Sequence, residues 1–384
     1  MLYRPFGRTG EQASILGFGC MRLPVLEGRR EAIDVPRATE MLHYAIDHGV
    51  NYFDTAFPYH GASFKEPGSS EGFLGQALAG GYREKVLVAT KLPVWQTESR
   101  ADMDEILAGQ LERLQTDHID CYLLHGLNAK MWPKMAELGA REFLDEAKAD
   151  GRITYAGFSY HDESAAFAPI VDAYPWDFCQ IQYNYMDVEV QAGRAGLVYA
   201  ADKGLAIVVM EPLKGGRLAC APPSVQELWD TAPVKRSAAE WALRYVWDDA
   251  RVSVVLSGMS TMEQVIENVQ VASQALAGSL TSTELDLIEQ VRAAYAARTA
   301  VDCTSCRYCM PCPQGIDIPM ILSCVNNAAL FDDPAPERIG YQMELGAGHT
   351  AAISACAECG QCEEACPQAI KIPEELKKAA ELLA

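Results

Sequence analysis

The chain has 384 residues, 49% of them hydrophobic, which is enough for one large core and a smaller appendage. Its formal net charge of −20 argues against nucleic acid as a partner, because phosphate backbones attract clustered Lys and Arg. No apolar run approaches the roughly 18 residues a membrane helix needs, and the start, Met1-Leu2-Tyr3-Arg4-Pro5-Phe6-Gly7-Arg8, lacks the apolar core of a secretory signal. The expectation is a cytoplasmic protein with no membrane contact.

Residues 2–10 read as a small hairpin. From there to about residue 280, short apolar, β-branched runs alternate with amphipathic stretches. The runs are 15–19, 50–53, 86–90, 119–124, 153–158, 178–183, 206–210 and 253–256. The helical stretches lie near 37–48, 71–79, 102–115, 137–149, 163–173, 191–203, 237–247 and 262–275. Strands each followed by a crossover helix predict a closed parallel (β/α)8, or TIM, barrel. A doubly wound sheet is the alternative, but Ile15-Leu16-Gly17-Phe18-Gly19-Cys20-Met21 only partly imitates its Gly-rich turn. A helical stretch at 282–298 leads into a different composition, and the boundary is drawn near residue 297. This gives a barrel at 1–297 and a small, mainly α-helical region at 298–384. In the latter, 319–329 and 373–383 look helical and 332–336 reads as a turn.

Such barrels keep their chemistry at the C-terminal ends of the strands. Along that rim stand Asp54, Tyr59, Lys91 and His125. Singly, each has a structural explanation, as a turn, a solvated strand end or a satisfied rim residue. Together they suit carbonyl reduction, where hydride attack builds negative charge on oxygen and calls for a proton donor. Tyr59 is the expected acid/base. Lys91 would be the charge that lowers its pKa, Asp54 the partner of Lys91, and His125 a donor that orients the carbonyl.

The segments Asn51-Tyr52-Phe53-Asp54-Thr55-Ala56, Ala89-Thr90-Lys91 and Leu123-Leu124-His125 resemble the aldo/keto reductase family. Gly157-Phe158-Ser159, Gln180-Ile181-Gln182-Tyr183-Asn184, Glu211-Pro212-Leu213-Lys214-Gly215-Gly216 and Glu267-Asn268 follow in family order. The resemblance implies NAD or NADP bound extended across the barrel mouth, near Gly19, Met21 and Asp54. Ser159 and Gln180 would hold the carboxamide. Pro212, Leu213, Lys214, Gly215 and Arg217 would meet the pyrophosphate, and Gly258, Gln264, Glu267 and Asn268 the adenosine end. Two positions depart from the family. Met210 stands where an aromatic ring usually stacks on the nicotinamide, and Gln264 stands where NADPH-preferring members carry Arg. Lys214 or Arg217 could stand in for that cation, and the choice of nucleotide stays open. Trp95 is either a pocket wall or a structural tryptophan.

Thirteen cysteines are present. Cys20, Cys121, Cys179, Cys220 and Cys324 are scattered and read mostly as core residues. The other eight form two runs. Cys356-x2-Cys359-x2-Cys362-x3-Cys366-Pro367 matches the bacterial ferredoxin spacing, and Cys303-x2-Cys306-x2-Cys309-x2-Cys312-Pro313 is one residue shorter before its last Cys. The expectation is two [4Fe–4S] clusters, each taking its fourth ligand from the other run. Cys303, Cys306, Cys309 and Cys366 would hold one, and Cys356, Cys359, Cys362 and Cys312 the other. A local four-Cys cluster at 303–312 is an alternative, as is zinc. The functional expectation is an NAD(P)H-dependent reductase of a small aldehyde, ketone or quinone, whose clusters serve electron transfer, sensing or structure, with room for a redox partner protein. The alternative is a redox sensor or electron carrier that binds nicotinamide without turnover.

Overall fold

In the computed structural model, which describes residues 1–384, the expected strands close on themselves. β1 (Tyr3–Pro5) and β2 (Gln12–Ser14) form the antiparallel hairpin. β3 (Leu16–Gly19), β4 (Tyr52–Asp54), β5 (Leu87–Pro93), β6 (Ile119–Leu127), β7 (Ile153–Tyr160), β8 (Phe178–Gln182), β9 (Ala206–Met210) and β10 (Val252–Ser257) form a closed barrel. Its pairings are parallel, and β10 returns onto β3 through Leu256 and Gly17. This is a (β/α)8 barrel, and closure rules out the doubly wound sheet.

Local chemistry explains where the crossover helices start. Helix Arg100–Leu114 opens on a reciprocal capping box between Ser99 and Asp102. Helix Met262–Ala272 opens on Thr261, which accepts from the Gln264 amide. Helix Val35–Asp47 buries Ala38, Met41, Leu42 and Ala45, a stripe at helical spacing against the strands.

The apolar residues form two layers. One lies between strands and helices and includes Leu42, Phe53, Phe158 and Trp176. The other fills the barrel interior with Tyr52, Ala89, Leu123, Phe178, Val208 and Val254. Phe6, from the hairpin, joins this inner layer and sits 5.4 Å from the Phe178 ring and 5.8 Å from that of Tyr52. The hairpin therefore plugs the N-terminal end of the barrel.

The chain groups into two compact units, Met1–Ala219 with Arg236–Thr281, and Cys220–Lys235 with Ser282–Ala384. Helix Ser282–Ala296 belongs to the second, where it packs on helix Pro223–Trp229. Beside it, Arg298 Nη1 donates to Ser224 Oγ at 3.3 Å. The cysteine region is built on helices Ile318–Phe331, Ala335–Gly346 and Ile372–Leu382, around Ile316, Ile321, Leu322, Tyr341 and Leu376. Helix Ala335–Gly346 was not expected. It buries only Glu337 and Tyr341, so no apolar stripe announces it. No helix is long and apolar enough to cross a membrane.

Candidate active site

Side chains alternate in and out along a strand, so one register decides which residues face the barrel axis. The positions that place Tyr52, Ala89, Leu123, Phe178 and Val208 in the inner layer place Asp54, Lys91, His125, Gln180 and Met210 two residues further on, at the C-terminal mouth. Strand pairing sets their heights: Asp54 lies opposite Gly19 and Ala89, Lys91 opposite Leu123, and Ser159 opposite Gln180. The apolar interior thus ends in a polar ring.

At the centre is an ion pair. Lys91 Nζ donates to both oxygens of Asp54, at 2.8 and 2.7 Å, and to the Thr55 carbonyl at 2.7 Å. It also lies 3.5 Å from the Tyr59 hydroxyl and 4.9 Å from the centre of that ring. Lys91 and Asp54 are buried, while Tyr59 is half-buried. Burial would lower the Lys91 pKa, but Asp54, and after it Tyr59, raise it above the ordinary lysine value. Burial pushes the Asp54 carboxyl up against the pull of Lys91. The two bonds from Lys91 keep it a carboxylate.

One expectation is corrected by this geometry. Lys91 does pull the Tyr59 pKa down, but burial pushes it up and wins, so the phenol titrates above its ordinary value. The group is therefore a firmly protonated hydroxyl rather than an incipient phenolate. The ring of His125 meets that of Tyr59 edge-on, with centroids 6.3 Å apart. Burial, then Lys91 and His161, drive its pKa well below the usual histidine range, so the imidazole is neutral. Its buried Nδ1 has no partner within the protein.

Trp95 stands 5.0 Å from the His125 ring, at the wall of the mouth. Its indole N–H donates to the Phe64 carbonyl at 3.0 Å, and Gln96 Nε2 donates to the same oxygen. The exposed Phe64 ring packs edge-on to Trp95 at 6.2 Å. Phe64 was missed in the sequence because it sits in a polar loop with no periodicity.

The remaining rim residues fall on the loops that follow the strands. Gly126, at φ +72° where the β6–β7 register breaks, turns its N–H to donate to Ser159 Oγ at 2.8 Å. Gln180 Nε2 contacts Met210 Sδ at 3.6 Å, while its Oε1 is buried without a donor. Met21 is exposed beyond Gly19, Pro212 is buried, and Gly215 is exposed. Lys214 Nζ is held by both oxygens of Asp187 at 2.8 Å, and Asp187 also accepts from Gln182 and Asn184. Asp187 was not anticipated. It lies 27 residues from Lys214, and only the fold brings them together. Arg217 is also engaged. Gln264 Oε1 accepts from the Ser260 amide at 2.7 Å, Glu267 from Ser237 Oγ at 2.5 Å, and Asn268 Nδ2 donates to Ser257 Oγ at 3.0 Å. Gly258 is exposed between these last groups and the strand end. A wider open concavity, lined by Asn51, Arg83, Lys85, His118 and Asp120, lies at the opposite, N-terminal ends of the strands. It contains none of these groups.

In the second unit the cysteines wall two separate chambers. One is lined by Cys303, Cys306, Cys309 and Cys366 with Pro319, Leu322 and Ile372. The other is lined by Cys312, Cys356, Cys359 and Cys362, and borders Cys309. The last cysteine of each run thus lies with the other run. The loops that achieve this carry non-glycine residues in the left-handed region, including Ser305, Arg307 and Glu358.

Residues 15–293 match the model of the aldo/keto reductase family, and residues 302–371 that of a 4Fe-4S dicluster domain. The uncharacterized oxidoreductase YrpG of Bacillus subtilis is 31% identical over 235 residues, covering 57% of this chain and 68% of that protein. A 6-dehydroglucose reductase of Novosphingobium aromaticivorans is 29% identical over 226 residues, covering 56% of this chain and 70% of that protein. Among solved structures, the holo form of the aldo-keto reductase AKR11C1 from Bacillus halodurans superposes with a TM-score of 0.61 at 28% identity, covering 76% of this chain and 96% of that one. The chain therefore belongs to the aldo/keto reductase family, an oxidoreductase whose barrel is followed by a 4Fe-4S dicluster domain.

Proposed function

We propose that this oxidoreductase reduces a small aldehyde, ketone or quinone with NADH or NADPH, and that Tyr59 gives the carbonyl oxygen its proton. The observation that carries the reading is the Asp54–Lys91 ion pair under a protonated Tyr59, next to a neutral His125 at the barrel mouth. The residues present suit a nicotinamide. Gln180 Oε1 is a buried acceptor awaiting a donor, which a carboxamide N–H provides, and Ser159 Oγ, already accepting from Gly126, keeps its own O–H to donate. When bound, the reduced cofactor supplies the hydride.

The chain's own groups do the rest. Neutral His125 donates a hydrogen bond to the substrate oxygen without competing for its proton. Tyr59 O–H then passes its proton to that oxygen as charge develops, and the Lys91 ammonium stabilises the phenolate left behind. Asp54 and the Thr55 carbonyl keep the ammonium aimed. Trp95, with Phe64 packed edge-on against it, forms an apolar wall that favours a substrate with an apolar face. The name of the 6-dehydroglucose reductase supports reduction as the direction.

The test is Tyr59→Phe. Carbonyl reduction across a panel of aldehydes, ketones and quinones should fall at least a hundredfold, on the order of a general acid's contribution, while nucleotide binding persists. Undiminished turnover would overturn the assignment. A wild type that binds nucleotide but turns over no carbonyl would instead favour a sensor or carrier.

The dicluster domain would hold two [4Fe–4S] clusters. We assign Cys303, Cys306, Cys309 and Cys366 to one and Cys356, Cys359, Cys362 and Cys312 to the other, a reading supported by the way the two chambers share out these side chains. The proposed exchange includes Cys312 although the spacer before it is one residue shorter. Such clusters pass single electrons, so a redox partner protein belongs to the proposal, as do a cytoplasmic setting and a functional division near residue 297.

A further inference from the structure

The two cysteine runs fold alike. Each flanks its second cysteine with two residues in the left-handed region, Ser305 and Arg307 (φ +55° and +62°) in the first run, Glu358 and Gly360 (φ +50° and +78°) in the second. The sulfurs are placed alike too. Cys306 and Cys359, the second of each run, are exposed, and the other six cysteines of the runs are half-buried. Each run directs a backbone N–H at a sulfur, that of Ser305 at Cys303 (3.4 Å) and that of Glu363 at Cys362. Solvent exposure and hydrogen bonds to sulfur, two of the quantities that set a cluster's reduction potential, therefore do little to separate the chambers.

Charge does separate them. Arg307 is the one charged residue in the walls of either chamber. It borders the first, with Cys303, Cys306, Cys309 and Cys366, whereas the second is walled by uncharged groups such as Met310, Gln361 and Leu376. The guanidinium also meets Asp317 at 3.3 Å, but that carboxylate lies outside the wall and spends its Oδ1 on capping helix Ile318–Phe331. In the second run Glu358 is paired with Lys377 at 2.8 Å, and neither borders the second chamber. Each pair is neutral in sum. They differ in that one presents its positive end to a set of sulfurs and the other presents neither end. Reducing a cluster adds negative charge, and a cation at the wall favours that state.

We infer that Arg307 makes the two clusters inequivalent, raising the reduction potential of the one held by Cys303, Cys306, Cys309 and Cys366 above that of the other. The first electron to enter the domain then settles on that cluster while its neighbour stays oxidised. An electron placed on the Cys356 cluster passes to the first, which is reduced as the other returns to its oxidised state. This rests on the assignment of the two clusters above and adds a direction to it.

The experiment is an EPR-monitored redox titration of the loaded full chain, kept anaerobic, with dithionite as the reductant. It compares wild type, Arg307→Gln, Arg307→Lys and Asp317→Asn. Two separate one-electron waves are expected in the wild type. Arg307→Gln should lower the higher wave alone, by roughly three- to tenfold in its equilibrium constant, which is about 30–60 mV for one electron. The effect is modest because the Arg307 side chain is 58% exposed and screened by water and salt. Arg307→Lys should keep most of the potential. Asp317→Asn retains a side chain able to cap the helix and should raise the same wave. Coincident waves in the wild type would overturn the inference, as would a higher wave unmoved by Arg307→Gln or a shift of the lower wave instead. Iron and sulfide sufficient for only one cluster in the wild type would overturn the two-cluster assignment beneath it.

Discussion

Replacing Asp54 by Asn keeps the shape of the site and removes one charge of a buried pair. The Lys91 side chain is fully buried and that of Asp54 is 3% exposed, so water cannot compensate the stranded ammonium. Breaking a pair of this kind costs about 3–5 kcal/mol. At roughly 2–4 °C per kcal/mol for a unit of this size, Asp54→Asn should lower the melting temperature by roughly 6–20 °C. Lys91→Met should cost a similar amount by leaving the carboxylate alone. The double variant removes both charges and should be more stable than either single one, because a buried pair replaced by neutral groups is often no loss. The assay is a double-mutant cycle by thermal melting of the loaded protein, with carbonyl reduction measured in parallel. All three variants should be inactive, the double variant stably so, which would show that the pair is retained for chemistry. If each single variant loses less than about 1 kcal/mol, or if the double loses the sum, the pair is not the buried ionic unit described.

Other consequences follow from the same geometry. With the Tyr59 pKa raised and that of His125 depressed, carbonyl reduction should stay flat from about pH 7 to about pH 10 and decline only above the ordinary tyrosine value of about 10. A fall centred near pH 7 would contradict this. Because His125 is depressed below its unfolded value of about 6.5, its contribution to stability is present above that pH and lost as pH falls through the folded value. His125→Asn should therefore flatten the acid side of a melting-temperature profile. Gly126→Ala, at φ +72°, should cost about 1 kcal/mol and weaken nucleotide binding through the displaced Ser159 contact, read by melting and titration. Gln264→Arg should improve NADPH several-fold over NADH in kcat/KM. Cys366→Ala should leave about half of the iron of the wild type, whose expected content is about eight per chain, by removing a ligand from the Cys303–Cys309 chamber alone.

Much of this was legible in the chain because one periodicity served two purposes. The alternation that fills the barrel with Tyr52, Ala89, Leu123 and Phe178 also aims Asp54, Lys91, His125 and Gln180 at its mouth. Asp54, Lys91 and His125 each stand immediately after one of the eight apolar runs, while Gln180 lies within the run 178–183. Tyr59 lies in the loop after the second strand, outside the alternation, and its place on the rim and the acid/base chemistry of a phenol marked it. The sign of its pKa shift depends on burial by the assembled mouth, which pairwise chemistry between Tyr59 and Lys91 does not contain. Asp187 on Lys214 and Phe64 over Trp95 are likewise contacts between loops distant in sequence. In the second unit the cysteine spacing was plain, but helix Ala335–Gly346 hid behind an exposed face that includes Ile339 and Met343.

The proposed catalysis depends on a protonated Tyr59, steadied by Lys91, facing a reduced nicotinamide. Single-turnover reduction of a carbonyl by C4-deuterated NADH or NADPH, followed in wild type and Tyr59→Phe, addresses it directly. Deuterium should appear on the product's former carbonyl carbon in the wild type, and the variant's rate should be at least a hundredfold lower at unchanged nucleotide affinity. Product without the label, or an equal rate in the variant, would contradict it.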